Sequence, residues 1–189
     1  MVSDSVSSMW MAGNVPFAIS FTSYLVEIMV GQGRILEAIR TYDDTLLRAA
    51  AQGRTDLRQT VVLHLGLGEL HIERGDLETA RRHLAQSEEL GHLVAFPPWH
   101  RHWSQAWARM YEAQGNLDGA LARLEEGERL AYRHVAPVVQ PVAALKARLS
   151  IAKGDLVAAT AWAIERHLST RDEPTYLRAF ELMTLARLM

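Results

Sequence analysis

VVLHLGLGELHIERGDLETARRHLAQSEEL, residues 61–90, contains the pattern that decides the fold. It reads as two helices joined at Gly75-Asp76, with apolar residues three or four positions apart on either side of that turn. Gly75 is expected to end the first helix in the left-handed region, where a residue without a Cβ is unstrained. Asp76 is expected to cap the second helix by accepting hydrogen bonds from its first free N–H groups. The stretch therefore predicts an antiparallel helical hairpin, which cannot bury both of its apolar faces alone.

The turn of this hairpin occurs four times along the chain. The matching hexamers are GRILEA, GDLETA, GNLDGA and GDLVAA, which begin at Gly33, Gly75, Gly115 and Gly154. The glycines are therefore 42, 40 and 39 residues apart, and an alanine stands five residues after each of them. A helical pair that recurs at a near-constant period is typical of a solenoid. We therefore predict an all-α fold, a right-handed solenoid of about four and a half helical hairpins.

Proline, glycine and serine predict where the hairpins begin and end. Residues 1–12 are expected to be frayed, and a repeat domain is expected over residues 13–189. Pro16 and Pro141 are expected in first turns of helices, and Gly91 is expected to end a helix. The hairpins are predicted at about 16–52, 55–90, 98–133 and 138–168, followed by a single helix over 174–189. This helix ends in mid-pattern, so we expect a segment of a longer protein, with uncapped ends that allow homo-oligomers.

Composition narrows the range of functions. Hydrophobic residues make up 49% of the chain, which supports a packed core. The formal net charge of −2 provides no general attraction to nucleic acid or to an anionic membrane. The absence of cysteine excludes disulfides and thiol chemistry and favours a cytoplasmic location. The apolar segment 9–30 is interrupted by Asn14, Pro16 and Glu27, so we expect a hairpin helix there and no membrane span.

The sequence of the repeats resembles the tetratricopeptide repeat, which implies that the predicted hairpins of the solenoid are tetratricopeptide-like. Leu67-Gly68 precedes one turn, Tyr111 takes the aromatic place before another, and the period is longer than the usual 34 residues of that family. Longer repeats of this kind resemble the sensor region of the MalT-like, LuxR-family transcriptional regulators. The sequence segments that carry this resemblance are LHLGLGELHIERGDLETARRHL, ARMYEAQGNLDGALARLEEGERLA, LKARLSIAKGDLVAATAWA and DEPTYLRAFELMTLARLM. The resemblance covers about residues 17–189.

In that family, the resemblance implies, a nucleotide-binding switch module precedes the repeats and a helix-turn-helix DNA-binding module follows them. This chain contains no GxxxxGK[ST] loop and no basic recognition helix, so we expect no cofactor and no direct contact with nucleic acid. The resemblance implies a sensor of a ligand or partner, whose occupancy biases those other modules. The alternative is a free-standing tetratricopeptide scaffold that binds a peptide or a protein partner.

The resemblance also implies a binding groove, because the first helices of successive tetratricopeptide hairpins line the concave surface. Six residues before the turn glycines stand Glu27, Glu69, Arg109 and Arg148, and Arg187 takes the matching place in the last helix. Neighbouring positions add Ser23, Glu73, His102, Gln105 and Glu112. These ten residues predict a groove with an acidic and a basic end, suited to a small-molecule inducer, a peptide or a protein. The arginines either form a ladder for carboxylate or phosphate groups or pair with glutamates of adjacent helices.

Histidine and tryptophan residues could indicate a metal site or an aromatic binding surface. His100 and His102 diverge on a helix, and His64 and His71 take places that pack in this repeat, so we expect no metal site. Trp103, together with Trp99, is a candidate for an exposed aromatic surface, whereas Trp107 takes a core position. No nucleophile–base pair and no paired-carboxylate spacing is recognisable, so we expect that the chain is not an enzyme.

Overall fold

The structure is a computed structural model that describes residues 2–53, 58–94, 99–130 and 140–189. Within these ranges the only regular secondary structure is helical. The helices are α1 Val2–Met11, α2 Val15–Gly31, α3 Ile35–Ala51, α4 Arg58–Glu73, α5 Leu77–Val94, α6 Trp99–Ala113, α7 Leu117–Leu130, α8 Val142–Lys153, α9 Leu156–Glu165 and α10 Ala179–Leu188. Each hairpin has a first helix before its turn glycine and a second helix after it. The four hairpins are α2–α3, α4–α5, α6–α7 and α8–α9.

The turns have the predicted chemistry. The glycines at 33, 75, 115 and 154 have φ values of 74°, 75°, 75° and 86°, all in the left-handed region. Asp76 Oδ1 accepts from the backbone N–H of Thr79 at 3.2 Å, which caps the second helix of the second hairpin. Asn116 and Asp155 cap the next two second helices in the same way, at 2.9 and 3.0 Å. The predicted turn and cap are therefore confirmed, and they arise from residues that are adjacent in sequence.

Gly75→Val should lower the free energy of unfolding by more than about 1 kcal/mol, because a β-branched residue is strained at positive φ. A Cβ at Gly75 would meet no atom within 4 Å, so this substitution tests backbone conformation alone. Gly31→Val is the matched control, because Gly31 also faces open space but lies at the end of α2 without a positive φ. Urea unfolding followed by circular dichroism measures both variants. Equal losses would contradict the prediction.

The chain divides into two compact units, Met1–Phe96 (unit 1) and Pro97–Met189 (unit 2). In unit 1, α2, α3 and α4 share one core, formed by Val15, Ile19, Val26, Met29, Ala38, Ile39, Tyr42, Ala49, Leu63, Leu67 and Leu70. In unit 2, the third and fourth hairpins join through Ala108, Ala120, Leu124, Leu145 and Leu149. A second cluster places α10 against α8 and α9 through Ala144, Ala147, Trp162, Ala163 and Leu185. Full burial of one such leucine contributes about 1.5–3 kcal/mol, so stacking between hairpins stabilises each unit.

The N-terminal segment differs from the prediction that residues 1–12 are frayed. Residues Val2–Met11 form α1, and Trp10 packs against the core of unit 1. A turn follows at Gly13, which has a φ of 70°. The sequence contained a signal for this turn, because Gly13-Asn14 repeats the Gly115-Asn116 pair of the third hairpin.

Two other predicted boundaries are wrong. Gly91 does not end a helix; it is buried within α5, where a residue without a side chain permits close packing. The last helix begins at Ala179 and not at residue 174, because Thr175–Arg178 form a separate turn. Arg178 closes this turn by pairing with Asp172 at 3.1 Å.

The prolines and the remaining boundaries have mixed outcomes. Pro16 lies in the first turn of α2 as predicted, whereas Pro141 lies one position earlier than predicted, as the residue that caps α8. The predicted boundaries at residues 55, 98, 133 and 138 lie outside the described residues. In the described ranges, no helix combines the length and the apolar character that a membrane crossing requires.

Candidate ligand groove on the first helices

The ten predicted groove residues all lie on first helices or on α10. In unit 1, Ser23 and Glu27 belong to α2, and Glu69 and Glu73 belong to α4. In unit 2, α6 carries His102, Gln105, Arg109 and Glu112, while α8 carries Arg148 and α10 carries Arg187. Every one of these side chains is exposed or half-buried. They therefore form surfaces that a ligand can reach.

In unit 1, three of the predicted residues gather around a residue that the sequence did not suggest. This residue is Tyr42 of α3, which is only 5% exposed. Burial raises the pKa of the Tyr42 hydroxyl to about 12; hydrogen bonding with Ser23 offsets part of this shift, and the nearby Glu27 and Glu69 carboxylates add to it. The two hydroxyls and two carboxylates come from α2, α3 and α4. Glu27 is exposed and Glu69 is half-buried, so this acidic surface can accept hydrogen bonds from a cationic or polyhydroxylated group.

A glycine in α4 makes room for the tyrosine ring. A Cβ at Gly66 would lie 2.5 Å from Cε2 of Tyr42 and 3.1 Å from its hydroxyl oxygen. The later hairpins have Leu84, Leu124 and Ala163 at the position of Tyr42, nine residues after the turn glycine. An aromatic residue at an aliphatic position, opposite a glycine in mid-helix, was therefore the available signal for this part of the site.

In unit 2, the structure joins two of the predicted residues directly. The guanidinium of Arg148 donates two hydrogen bonds to the Glu112 carboxylate, at 2.7 and 2.6 Å, and so links α8 to α6. Each of these side chains is about a quarter exposed, at 25% for Arg148 and 26% for Glu112. Arg148 therefore follows the second interpretation of the arginines, in which each pairs with a glutamate of an adjacent helix. The pair therefore brings together the predicted groove residues of α6 and α8.

Arg187 has a different environment from Arg148. Thirty-nine residues after Glu112, the position that would supply the next carboxylate is occupied by Ile151. Arg187 is exposed and forms no ion pair with any residue in the described ranges. A charged guanidinium without a protein carboxylate is available to bind a carboxylate or a phosphate group. On α6, Gln105 donates from Nε2 to the carbonyl oxygen of Gln140 at 3.3 Å.

Three histidines form a stack in unit 1 on the contact between α4 and α5. His64 Nδ1 and His83 Nδ1 are 3.0 Å apart, and the rings of His71 and His83 are stacked with centroids 5.8 Å apart. Burial, together with the proximity of His83, lowers the pKa of His64 to about 4. Burial also lowers the pKa of His83. Among the described residues, no group of three or more His, Asp or Glu side chains is arranged to hold a metal ion.

The burial of Trp103 and Trp107 differs from the prediction at both positions, because Trp107 was expected in the core. Trp103 is 2% exposed, so the expectation of an exposed aromatic surface there is wrong. Its neighbour Trp107 is half-buried, with the Arg123 guanidinium 5.6 Å from its ring centroid. The helical period placed Trp103 correctly on α6 but could not indicate which other helix covers it. The side chain of Trp99 lies outside the described residues.

A family model described as the MalT-like TPR region matches residues 1–189. The chain belongs to this family. The MalT-like chain is also similar to crystal structures of nearly identical TPR-like repeats from a Podosopora anserina protein that is named as a kinesin light chain. One structure has 16% sequence identity and a TM-score of 0.55, with 97% of this chain and 94% of that chain covered. A variant of the same protein has 16% identity and a TM-score of 0.57, with coverages of 98% and 95%. These two likenesses concern the fold alone. A search of curated proteins found no match.

Proposed function

We propose that this MalT-like repeat region is a sensor domain of a LuxR-family transcriptional regulator, in which the groove faces of the first helices bind a polar ligand or partner. The observation that carries the proposal is the family match over residues 1–189. The side chains described above support it, because ten predicted groove residues lie on the expected helices and remain accessible.

The proposed ligand chemistry follows from the charges in each unit. In unit 1, the Glu27 and Glu69 carboxylates are near enough to help raise the pKa of Tyr42, and their negative charge favours a cationic or hydroxyl-bearing group. In unit 2, Arg187 carries a positive charge and forms no ion pair with the part of the chain that the structure describes, which favours an anionic group. A buried tyrosine and paired side chains are already positioned before binding, so little ordering is required when a ligand arrives.

The proposed mechanism is a shift between conformational populations. The ligand binds one arrangement of the repeats more tightly than another, and its differential affinity favours that arrangement. The favoured arrangement then packs differently against a nucleotide-binding switch module of the regulator, which permits transcription. Thermodynamic linkage requires that the state of the switch module changes the affinity for the ligand by the same factor.

A thermal-unfolding screen tests the groove. Polar small molecules of positive, negative and zero charge are added to the 189-residue chain, and a ligand at about one hundred times its Kd should stabilise it by about 2.7 kcal/mol. Glu69→Gln should weaken binding of a cationic ligand, and Arg187→Gln that of an anionic ligand, each about tenfold or more, because a charge-assisted hydrogen bond is lost.

Matched controls carry the same changes on second helices. Glu78→Gln on α5 and Arg129→Gln on α7 alter exposed residues away from the groove faces and should leave affinity unchanged. If the groove variants bind as well as the controls do, the assignment of the groove is wrong.

The role in transcription has its own test in the coding sequence on either side of residues 1–189. A nucleotide-binding module before them and a helix-turn-helix after them are expected, and a reading frame with neither would contradict the regulator.

A further inference from the structure

The two lysines of the chain both lie on α8, and both bind the hairpin before it. Lys146 Nζ is 3.1 Å from Oε2 of Glu128 and 3.9 Å from Oε1 of Glu125. Lys153 donates a hydrogen bond to Oδ1 of Asp118. The three carboxylates all belong to α7. The two amines therefore hold the third and fourth hairpins of unit 2 together.

These ion pairs lie at both ends of α7. Asp118 is in the first turn of that helix and Glu128 is in the last, so they are about 15 Å apart at 1.5 Å per residue. Between them, Leu124 packs in the apolar cluster that joins the two hairpins. The pairing of Arg148 with Glu112 adds a link from α8 to α6. The contact between the hairpins therefore has an apolar centre with charged links around it.

The matching contact in unit 1 has apolar residues where unit 2 has a charged pair. Lys146 stands eight residues before its turn glycine, and Glu128 stands thirteen residues after the turn glycine of the preceding hairpin. In the first two hairpins these positions are occupied by Leu67 and Leu46, which both pack in the apolar core of unit 1. The repeat therefore does not require charges at these positions, and the lysine–glutamate pair is specific to the contact in unit 2.

The lysine links are accessible to dissolved salt. The side chain of Lys146 is 31% exposed and that of Lys153 is 47% exposed. An ion pair at the surface contributes little to stability, and the Debye length shortens from about 10 Å at 0.1 M to about 3 Å at 1 M ionic strength. Apolar burial involves no charges that salt can screen. The contacts of unit 1 and unit 2 should therefore respond differently to ionic strength.

We propose that the contact between the third and fourth hairpins is a joint that responds to ionic strength, closed in dilute salt and opening around its apolar centre as salt screens the ion pairs. Opening changes the angle between α6 and α8, and with it the spacing of the groove residues that these helices carry. Ionic strength is then an input to the repeat region that requires no ligand. Lys146 and Lys153 are not residues of the proposed groove, so this joint can be tested independently of it.

A distance measurement between the hairpins tests the joint. The chain contains no cysteine, so nitroxide labels can be attached to cysteines introduced by Ala122→Cys on α7 and Ala161→Cys on α9. Both positions are exposed, and each stands seven residues after a turn glycine. Double electron–electron resonance of the 189-residue chain should show the fraction of longer distances rise about threefold or more between about 0.1 and about 1 M sodium chloride. The matched control pair, Arg40→Cys with Arg82→Cys in unit 1, should give one distribution at both concentrations.

Variants of the ion pairs test the cause of the opening. Lys146→Leu with Glu128→Leu installs the residue types found in unit 1, so at least about half of the salt-dependent change should disappear. Lys153→Gln should instead increase the fraction of longer distances in dilute salt, because the link to Asp118 loses its charge. Arg129→Gln, which removes an exposed cation of α7, is the control and should have neither effect.

Circular dichroism verifies that each labelled variant keeps its helical content, and Lys153→Gln decides the question if the double leucine variant fails to fold. The proposal would be overturned by identical distance distributions of the unit 2 pair at both salt concentrations, or by an equal change in the unit 1 pair. A full salt response in the double leucine variant, or an unchanged distribution in Lys153→Gln, would also overturn it. None of these outcomes depends on whether a ligand binds the groove.

Discussion

Acidification from pH 7 to pH 4 should remove up to about 3 kcal/mol of folding stability through His64 alone. Its pKa is lowered to about 4 in the folded chain by burial and by His83, whereas an unfolded histidine titrates near 6.5. Between these two values the unfolded state binds more protons than the folded state, so stability falls as the pH falls. The contribution is fully present above pH 6.5, is lost progressively below it, and changes no further once the pH is below about 4.

The contacts of the three stacked histidines explain why His64 and His83 cannot both be protonated easily. His64 Nδ1 and His83 Nδ1 are 3.0 Å apart, so one nitrogen must donate and the other accept, which requires at least one neutral ring. The pKa of His83 is lowered by burial, by His71 and by Arg82, while Asp43 of α3 acts in the opposite direction. His71 also pairs with the carboxylate of Asp76 at 3.3 Å. Protonation therefore places repulsion on the contact between α4 and α5.

Urea unfolding at several pH values measures the loss of folding stability. A variant at position 64 separates the contribution of His64 from that of the carboxylates, which also titrate on acidification. His64→Asn keeps a hydrogen-bonding group close to the place of Nδ1 but cannot be protonated, so its loss between pH 7 and pH 4 should be smaller than that of the wild type by about 3 kcal/mol. His167→Asn removes an exposed histidine and should leave the pH dependence as it is in the wild type. Parallel curves for His64→Asn and the wild type would contradict the prediction.

The sequence was most informative where structure depends on neighbouring residues. The turn at Gly75-Asp76 requires one residue with positive φ and one cap, and both requirements are met by adjacent side chains. The period of these turns then predicted the hairpins and the helices that carry the groove residues. The prediction from neighbouring residues was wrong at Gly91. A glycine can end a helix or permit close packing within a helix, and which of the two applies depends on the elements that pack against it.

The candidate site was predictable only in part, for the same physical reason. Helical spacing placed Glu27, Glu69 and Arg148 on the correct helices, because register relative to the turn glycine is preserved along the repeats. It could not indicate that Tyr42 reaches the acidic surface from a second helix, since this contact depends on the stacking of α3 on α4 over Gly66. Nor could it choose between an arginine ladder and ion pairs; the pairing of Arg148 with Glu112 depends on the distance between α6 and α8.

Gly127→Ala should lower the free energy of unfolding by about 2 kcal/mol, although alanine is the better helix former. Gly127 lies on α7, where an added Cβ would be 2.4 Å from Cβ and 2.0 Å from Oγ of Ser104 on α6. Ser104 is 4% exposed, and a Cβ cannot rotate away, so α6 and α7 must separate. Gly31→Ala is the control, because the space around Gly31 is open and its substitution should be neutral or slightly stabilising.

The cause of the loss can be tested by restoring the space. Ser104→Gly removes both atoms that the new methyl group would meet, so the double variant should be more stable than the sum of the two single effects predicts, by about 2 kcal/mol. Urea unfolding of the four proteins gives this coupling energy. Additive effects would show that the two helices can accommodate the methyl group by other means.

The same substitution should also affect the proposed groove of unit 2. Because α6 also carries Gln105, Arg109 and Glu112, Gly127→Ala should disturb that groove, and Ser104→Gly should restore it. The close approach of α6 to α7 at Gly127 would then position the groove residues as well as stabilise the hairpin.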